Sequence, residues 1–357
     1  MIIKSLKLVN FRNYSDLECD FTNGINFIYG NNASGKTNLV ESIYCLSIAR
    51  SFRTNISSNL INNKNKQAYI KTKIDFNGSN KCVEIIFSDV GKTISIDGKK
   101  VSKLSELNKI TNCIYFIPKD VDLLRDSPKE RRFFLNVNVS KENSAYLEEM
   151  ASYEKLLKER NNLLKSEKVN LNLLDVVTNQ MISLSKNIYY KRKSYIDKLN
   201  VKFKDIYNKI SGNASNAKVI YLPFIKESDD YESLAKTAYK NSLENDLKNK
   251  ITGIGIHKED FFVVMNGKNL AKFGSQGENR MAVLALKICP YFLIDDEKLK
   301  PVVILDDVLS ELDKTHEKML LNFLNNINQV FVTSTKKYEI NNATYYQVCD
   351  GRIIKGA

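Results

Sequence analysis

Apolar residues in the N-terminal third of the chain recur at every second position. Leu6 and Leu8, then Leu17, Cys19 and Phe21, alternate with polar neighbours around the turn-like run Arg12-Asn13-Tyr14-Ser15-Asp16, which predicts two half-buried strands. The run Ile25-Asn26-Phe27-Ile28-Tyr29 predicts a third. From Ile70 to Val101 the alternation passes through Ile70, Thr72, Ile74 and Phe76, then Val83, Ile85 and Phe87, then Ile94 and Ile96, with breaks at Asn77-Gly78-Ser79-Asn80, Gly91 and Asp97-Gly98. This is the pattern of an antiparallel β meander. After Ile114-Tyr115-Phe116-Ile117-Pro118 the period changes. From about Lys141 to Ile210 glycine is scarce and proline absent, and Ile196, Leu199, Phe203, Ile206 and Ile210 keep three-and-four spacing. A helical hairpin is expected there, coiled-coil-like but shorter than the roughly three to four heptads of a sustained coiled coil. Beyond Gly253 strand and loop signals return, and Val302-Val303-Ile304-Leu305 and Val330-Phe331-Val332 suit buried parallel strands.

Composition narrows the class. The chain has 357 residues, 43% hydrophobic and 27% charged, which is the range of a soluble globular protein with a large core. A formal net charge of +13 suggests a polyanionic partner such as nucleic acid or an anionic membrane surface, although abundant lysine and asparagine also fit a coding bias. No segment approaches the roughly 18 apolar residues needed to cross a bilayer, and the first residues lack a signal-peptide layout, so a cytoplasmic protein without a membrane partner is expected. The six cysteines, Cys19, Cys45, Cys82, Cys113, Cys289 and Cys349, stand singly, indicating neither a zinc site nor a disulfide framework. Only two histidines occur, His257 and His316, and no hydrolase serine or cysteine motif accompanies them, which argues against nucleophilic catalysis.

Gly30-Asn31-Asn32-Ala33-Ser34-Gly35-Lys36-Thr37 is a full G-x-x-x-x-G-K-[ST] loop between a strand-like run and a helix-like segment. Its glycines let backbone N–H groups face phosphate oxygens, Lys36 reaches the β and γ phosphates, and Thr37 offers a hydroxyl to magnesium. A nucleoside triphosphate with Mg2+ is therefore the expected ligand, and the family resemblance below makes it ATP. Pro301 to Leu305 form an apolar run ending in Asp306-Asp307, which places two carboxylates at the carboxyl edge of a sheet in the manner of a Walker B. Asp306 is expected to hold the metal, and Asp307 to orient or deprotonate the attacking water. An aspartate reaches less far than a glutamate, so slow hydrolysis is expected. Phe273-Gly274-Ser275-Gln276-Gly277-Glu278-Asn279-Arg280 opens the helix-like Met281 to Lys287, a second anion cradle. Residues 186 to 209 carry Lys186, Lys191, Arg192, Lys193, Lys198, Lys202, Lys204 and Lys209 against Asp197 and Asp205, with Tyr189, Tyr190 and Tyr195 interleaved. They read either as a DNA contact or as a solvated helix face whose tyrosines pack inward.

Ser275-Gln276-Gly277-Glu278 resembles the signature motif of the ABC ATPase superfamily, where S-G-G-Q is usual, and Ser310-Glu311-Leu312-Asp313 resembles its D-loop. Transporter heads keep loop and signature close together, and SMC and SbcC chains separate them by a very long coiled coil; here the gap is about 240 residues. Leu8-Val9-Asn10-Phe11-Arg12-Asn13-Tyr14, Gly35 to Glu41, Ser51-Phe52-Arg53-Thr54, Ser127 to Leu135 and Leu305 to Asp313 together resemble the RecF family of bacterial recombination mediators, essentially end to end. The family's G-P-H-R-D-D becomes Gly255-Ile256-His257-Lys258-Glu259-Asp260, and its P-E-D-L becomes Pro118-Lys119-Asp120-Val121.

The resemblance implies an α/β fold, an ABC-type P-loop ATPase head with a mixed sheet and antiparallel meander over 1–137 and 253–357. An α-helical, coiled-coil-like second domain would be inserted over 138–252. It implies a homodimer formed on ATP, in which Ser275 and Gly277 close over the nucleotide held by the other copy's loop. It further implies slow, DNA-stimulated ATP hydrolysis, binding to single-stranded or gapped duplex DNA, and work with RecO and RecR in loading RecA, for replication restart and SOS induction. Arg12 is expected to touch nucleotide, and Arg50 and Arg53 to meet DNA alongside Lys191, Arg192 and Lys193. The alternative is the ATPase subunit of an ABC transporter.

Overall fold

The computed structural model describes every residue except Lys64, Lys103 and Ala357, and only the backbone of Ser105 and Lys109. The chain begins with strands β1 (Ile2–Phe11), β2 (Tyr14–Asp20) and β3 (Gly24–Tyr29) and helix α1 (Lys36–Ile48). It continues through β4 (Gln67–Phe76), β5 (Ser79–Ser88), β6 (Gly91–Ile96), β7 (Lys99–Val101), α2 (Leu104–Ile110) and β8 (Cys113–Phe116). Helices α3 (Pro128–Glu142), α4 (Ser144–Lys165) and α5 (Leu171–Ser211) precede β9 (Ala217–Leu222), α6 (Tyr231–Asn249), β10 (Asp260–Met265), β11 (Lys268–Asn269) and α7 (Leu270–Phe273). The remainder comprises α8 (Gln276–Phe292), β12 (Val302–Leu305), α9 (Lys314–Leu324), β13 (Gln329–Ser334), β14 (Ala343–Cys349) and β15 (Arg352–Gly356).

Two compact units result. The first contains Met1–Val121, Asp205–Ala214 and Arg280–Ala357, the second Asp122–Lys204 and Ser215–Asn279, so the division falls inside α5 and α8. In the first unit an antiparallel sheet runs β2-β1-β4-β5-β6-β7, and a mixed sheet runs β15-β14-β3-β13-β12-β8, parallel except for its β15 edge. The meander has the expected strands. Two of its hairpins turn on Asn77-Gly78 and Asp97-Gly98, all four residues at positive φ, as type I′ turns between twisted strands require. Strands β12 and β13 are buried along their whole length, which is why β12 and the centre of β13, Val330-Phe331-Val332, read as apolar runs. Leu6, Leu8, Ile70 and Ile85 of the meander share one core with Ile28, Ile304 and Phe331 of the mixed sheet and with Leu39, Val40, Ile43 and Leu46 of α1. Helix α1 is thus buried from Leu39 to Ser47, polar Glu41 and Ser42 included.

The second unit combines α3, α4, α6 and most of α5 with a small antiparallel sheet, β11-β10-β9. Ile196, Leu199 and Phe203 are buried, as their spacing predicted. The unit reaches beyond the expected 138–252 on both sides and is not purely helical. Arg131 of α3 explains the wider bounds: it donates two 2.8 Å hydrogen bonds to the Asp260 carboxylate on β10 and others to the carbonyls of Leu123, Leu124 and Asp126. Strand β9 escaped notice because six residues of alternation carry little weight beside long helices.

Several buried ionisable groups inside this unit are paired. Arg160 donates to Asp246 at 2.7 Å, Thr252 at 2.8 Å and Thr178 at 2.9 Å. His257 holds its Nε2–H on the Thr252 carbonyl, 3.1 Å, and its Nδ1 lies 3.1 Å from the Tyr153 hydroxyl, which fixes a neutral tautomer. Burial pushes the His257 pKa down to about 4, against the Thr252 carbonyl, which favours the charged form. Above the ordinary histidine pKa neither state holds the extra proton. Between about pH 6.5 and 4 the unfolded chain takes it and the native chain does not, so stability falls as pH drops through that window, by about 3 kcal/mol in all. Urea unfolding at pH 7, 5.5 and 4.5 should show this loss, and His257→Gln should flatten it; equal pH slopes in both proteins would refute the assignment.

Candidate nucleotide site

The parallel ladder sets the site. Val332 pairs with Leu305 and with Phe27, and Thr333 pairs with Ile28, so the ends of β12, β13 and β3 come level at one edge of the mixed sheet. Asp306 leaves β12, Thr333 lies in β13, and Gly30 leaves β3 at that edge. The loop from Gly30 to Thr37 then turns into α1, with Gly30 at φ +156, Ala33 at +64 and Gly35 at +118. A Cβ on Gly30 would stand 2.2 Å from the Val348 carbonyl oxygen, and one on Gly35 2.7 Å from Asn13 Nδ2. Tyr14 donates its hydroxyl to the Gly35 carbonyl, 2.9 Å, and Asn13 its amide to the Ser34 carbonyl, 3.2 Å. The β1–β2 turn therefore braces the loop from below, leaving Asn31, Asn32 and Ala33 exposed.

Lys36 is buried, and its Nζ donates to the carbonyls of Gly30 and Asn31, each at 2.8 Å. Burial lowers its pKa, while Asp307 and Asp306 oppose the shift. Thr37 donates its hydroxyl to Asp306 Oδ1 at 3.1 Å, so the two expected metal ligands are adjacent. Burial raises the Asp306 pKa, and the Thr333 and Thr37 hydroxyls hold it back. Asp307 sits at φ +49, and its Oδ1 is buried without a hydrogen-bond partner among the described residues. Ser34 Oγ is likewise buried and unpartnered, an orphan that a phosphate oxygen suits. No cluster of three or more His, Cys, Asp or Glu able to hold a metal occurs among the described residues. One hydroxyl and one carboxylate fit magnesium, which takes few protein oxygens and completes its shell with phosphate and water.

Three residues outside the phosphate loop and the Asp306-Asp307 pair also shape the site. Thr333 donates to Asp306 Oδ1 at 2.6 Å and accepts the Asp307 N–H at 2.9 Å. Glu41, one turn after Thr37, takes the Arg12 guanidinium at 2.9 and 2.7 Å. Asn13 joins Asn38 to the loop. Arg12 also donates to the Asn59 carbonyl, so the arginine expected on nucleotide is committed to a buried carboxylate instead. Nothing in local sequence marks Glu41 as buried; only its place four residues after Thr37 on a helix could have drawn attention to it.

Ser275 and Gly277 belong to the second unit, at the start of α8. Glu278 N–H donates to Ser275 Oγ at 3.2 Å and Ser275 N–H to the Glu278 carboxylate at 2.8 Å, a reciprocal capping box. The buried Asn279 amide holds the carbonyls of Leu270, Gly274 and Ser275. Ser275, Gln276 and Gly277 are exposed.

The basic run of α5 does not form the expected row of free cations. Arg192 is 1% exposed and donates to Glu259 at 2.7 Å, to Asn136 and to Tyr146, so it cannot reach DNA. Lys191 pairs with Glu149 at 2.6 Å, and Lys193 with Asp197 at 3.0 Å and Glu227 at 3.4 Å. Tyr189 and Tyr195 pack inward. Arg50 and Arg53 are exposed, Arg53 donating to Asn38 at 2.8 Å and lying 3.8 Å from Glu41.

A phosphate loop and Walker B carboxylates on alternate strands of a mixed sheet, with an antiparallel meander against it and a signature-like helix start, define an ABC-type P-loop ATPase head. The model of the RecF/RecN/SMC N terminal domain matches residues 2–351. The chain belongs to the RecF family. It is 36% identical over 361 residues to the DNA replication and repair protein RecF of Clostridium botulinum strain Eklund 17B, covering 99% of this chain and 100% of that one. Against RecF of Clostridium acetobutylicum it is 35% identical, covering 99% of both. The solved structure of the recombination mediator protein RecF with ATP superposes with a TM-score of 0.88 at 31% identity, over 100% of this chain and 98% of that one. The Smc head of Pyrococcus furiosus, 17% identical with a TM-score of 0.59 over 99% and 96% of the two chains, shares the fold.

Arg192→Ala should lower stability by about 3–5 kcal/mol, because it strands Glu259 as an uncompensated buried charge. Lys193→Ala should stay within about 0.5 kcal/mol. Urea midpoints of the two variants check this, and equal small shifts would contradict the buried pairing.

Proposed function

We propose that the protein is an ATP-switched DNA-binding dimer of recombinational repair, working with RecO and RecR at gaps. The observation that carries the reading is the Thr37–Asp306 contact, which joins the phosphate loop to the Walker B carboxylate inside one unit. The ATP-bound RecF of the RecFOR pathway, similar along the whole chain, supports it. The alternative of a transporter's ATPase subunit finds no support in relatives that match RecF from end to end.

The Ser34 hydroxyl and the backbone N–H groups from Gly30 to Thr37 would hold the β and γ phosphates, with the Lys36 ammonium exchanging two carbonyls for phosphate oxygens. Thr37 and Asp306 would hold magnesium, which neutralises charge on those oxygens. Asp307 Oδ1 would take a hydrogen bond or proton from the attacking water. The Ser275 hydroxyl already accepts from Glu278 N–H, so its own hydrogen is left to donate to the phosphate of a second copy. With Arg192 buried and Lys191 and Lys193 paired, Arg50 and Arg53 are the candidate DNA contacts.

Sedimentation and retention on gapped and intact duplex should be measured with ATP, ADP and no nucleotide. ATP should give a dimer held on gapped DNA; ADP, and Lys36→Met with ATP, should not. Identical sedimentation and retention in all states would sink the reading.

A further inference from the structure

The geometry points to Thr333 as a positioning residue for both Walker B carboxylates, one that fixes which Asp306 oxygen meets the metal and holds the backbone of Asp307. It rests on the nucleotide-site reading above. Thr333 is fully buried in β13, between the strand that delivers the phosphate loop and the strand that delivers the acids. Leu305 pairs with Val332, which brings Thr333 level with Asp306.

Hydrogen-bond accounting gives the role. A threonine hydroxyl has one hydrogen to donate, and here it goes to Asp306 Oδ1 at 2.6 Å. Its oxygen accepts the Asp307 N–H at 2.9 Å. Both partners lie on the Walker B turn, so the side chain is turned to the carboxylates rather than held for a phosphate. Asp306 Oδ1 accepts from Thr37 as well, 3.1 Å, and with two hydroxyl donors that oxygen is filled, leaving Oδ2 for a metal. Were the Thr37 oxygen to hold a metal, its hydroxyl hydrogen could leave Oδ1. The Thr333 bond is independent of that change and keeps the carboxylate rotamer.

Asp307 needs the same support. Its backbone is left-handed at φ +49, a conformation costly for a residue with a side chain and kept only where neighbours over-determine it. Its N–H is fixed by Thr333 and its carbonyl by the Ser310 hydroxyl at 3.0 Å. One buried hydroxyl thus ties the metal-facing acid to the backbone of the acid that faces water.

Thr333→Val keeps the shape and removes the hydroxyl; Thr333→Ser keeps the hydroxyl and removes the methyl. Binding of a fluorescent ATP analogue is titrated with magnesium and with a chelator. The tightening that magnesium produces should fall about tenfold or more in Thr333→Val, as for loss of a group that orients a metal ligand, with affinity in chelator unchanged and turnover lowered in step. Thr333→Ser should retain the magnesium effect. A wild-type magnesium effect in Thr333→Val overturns the assignment, as does an equal loss in Thr333→Ser, which would mean packing. If Thr333→Val is insoluble, Thr333→Ala against Thr333→Ser gives the same contrast. Wild-type ATP binding that ignores magnesium and Lys36→Met would instead remove the nucleotide-site reading itself.

Discussion

The register of three parallel strands governs this molecule. With β3, β13 and β12 paired so that Val332 faces both Phe27 and Leu305, the phosphate loop, Thr333 and the two aspartates emerge at one edge. A slip of one residue in β13 would exchange its two faces, turning Phe331 out of the shared core and Thr333 away from Asp306. Packing forbids this, because both faces of β12 and β13 are buried. The hydrophobic core fixes the ladder, and the ladder places a hydroxyl at 2.6 Å from a carboxylate. Stability and site geometry have one cause.

The same core explains why a basic chain does not read simply as a basic surface. Glu41 lies wholly inside α1 and accepts from Arg12 and Ser51; Arg192 and Glu259, and Arg160 and Asp246, are nearly solvent-free pairs in the second unit. Each such pair costs desolvation, and it holds only because further hydrogen bonds fill the remaining lone pairs and N–H groups. Glu259 shows this: it takes Arg192, the Tyr221 hydroxyl and the Phe224 N–H together. These arginines count toward a net charge of +13 yet offer nothing to a polyanion.

Much of this was legible in the residues. The period-two meander, the apolar runs of β12 and β13 and the phosphate loop were plain because each follows from local backbone rules. Long-range pairing was not. Arg192 looked like its neighbours Lys191 and Lys193, and nothing local says that one of three adjacent cations turns inward to an acid 67 positions on. Thr333 stood at a strand end, where capping is the ordinary role, and its bridging role depends on a neighbouring strand some thirty residues away in sequence. The compact units divide the chain elsewhere than the expected 138–252 for the same reason, since Arg131 and Asp260 meet only in space.

Gly277 shows how the two kinds of information combine. Glycine near the start of a helix weakens it relative to alanine by up to about 1 kcal/mol, so its presence asks for a reason. Backbone conformation supplies none, because its φ lies outside the left-handed region, and a Cβ built there meets no atom of this chain within 4 Å. Gly30 is the opposite case, where the Val348 carbonyl excludes any side chain. Packing within the chain does not select glycine at 277. Its position beside an exposed Ser275 whose hydroxyl hydrogen is free to donate fits close approach by an anion carried on another molecule. The resemblance to a signature motif suggested that arrangement from four letters, and it is the resemblance that carries it.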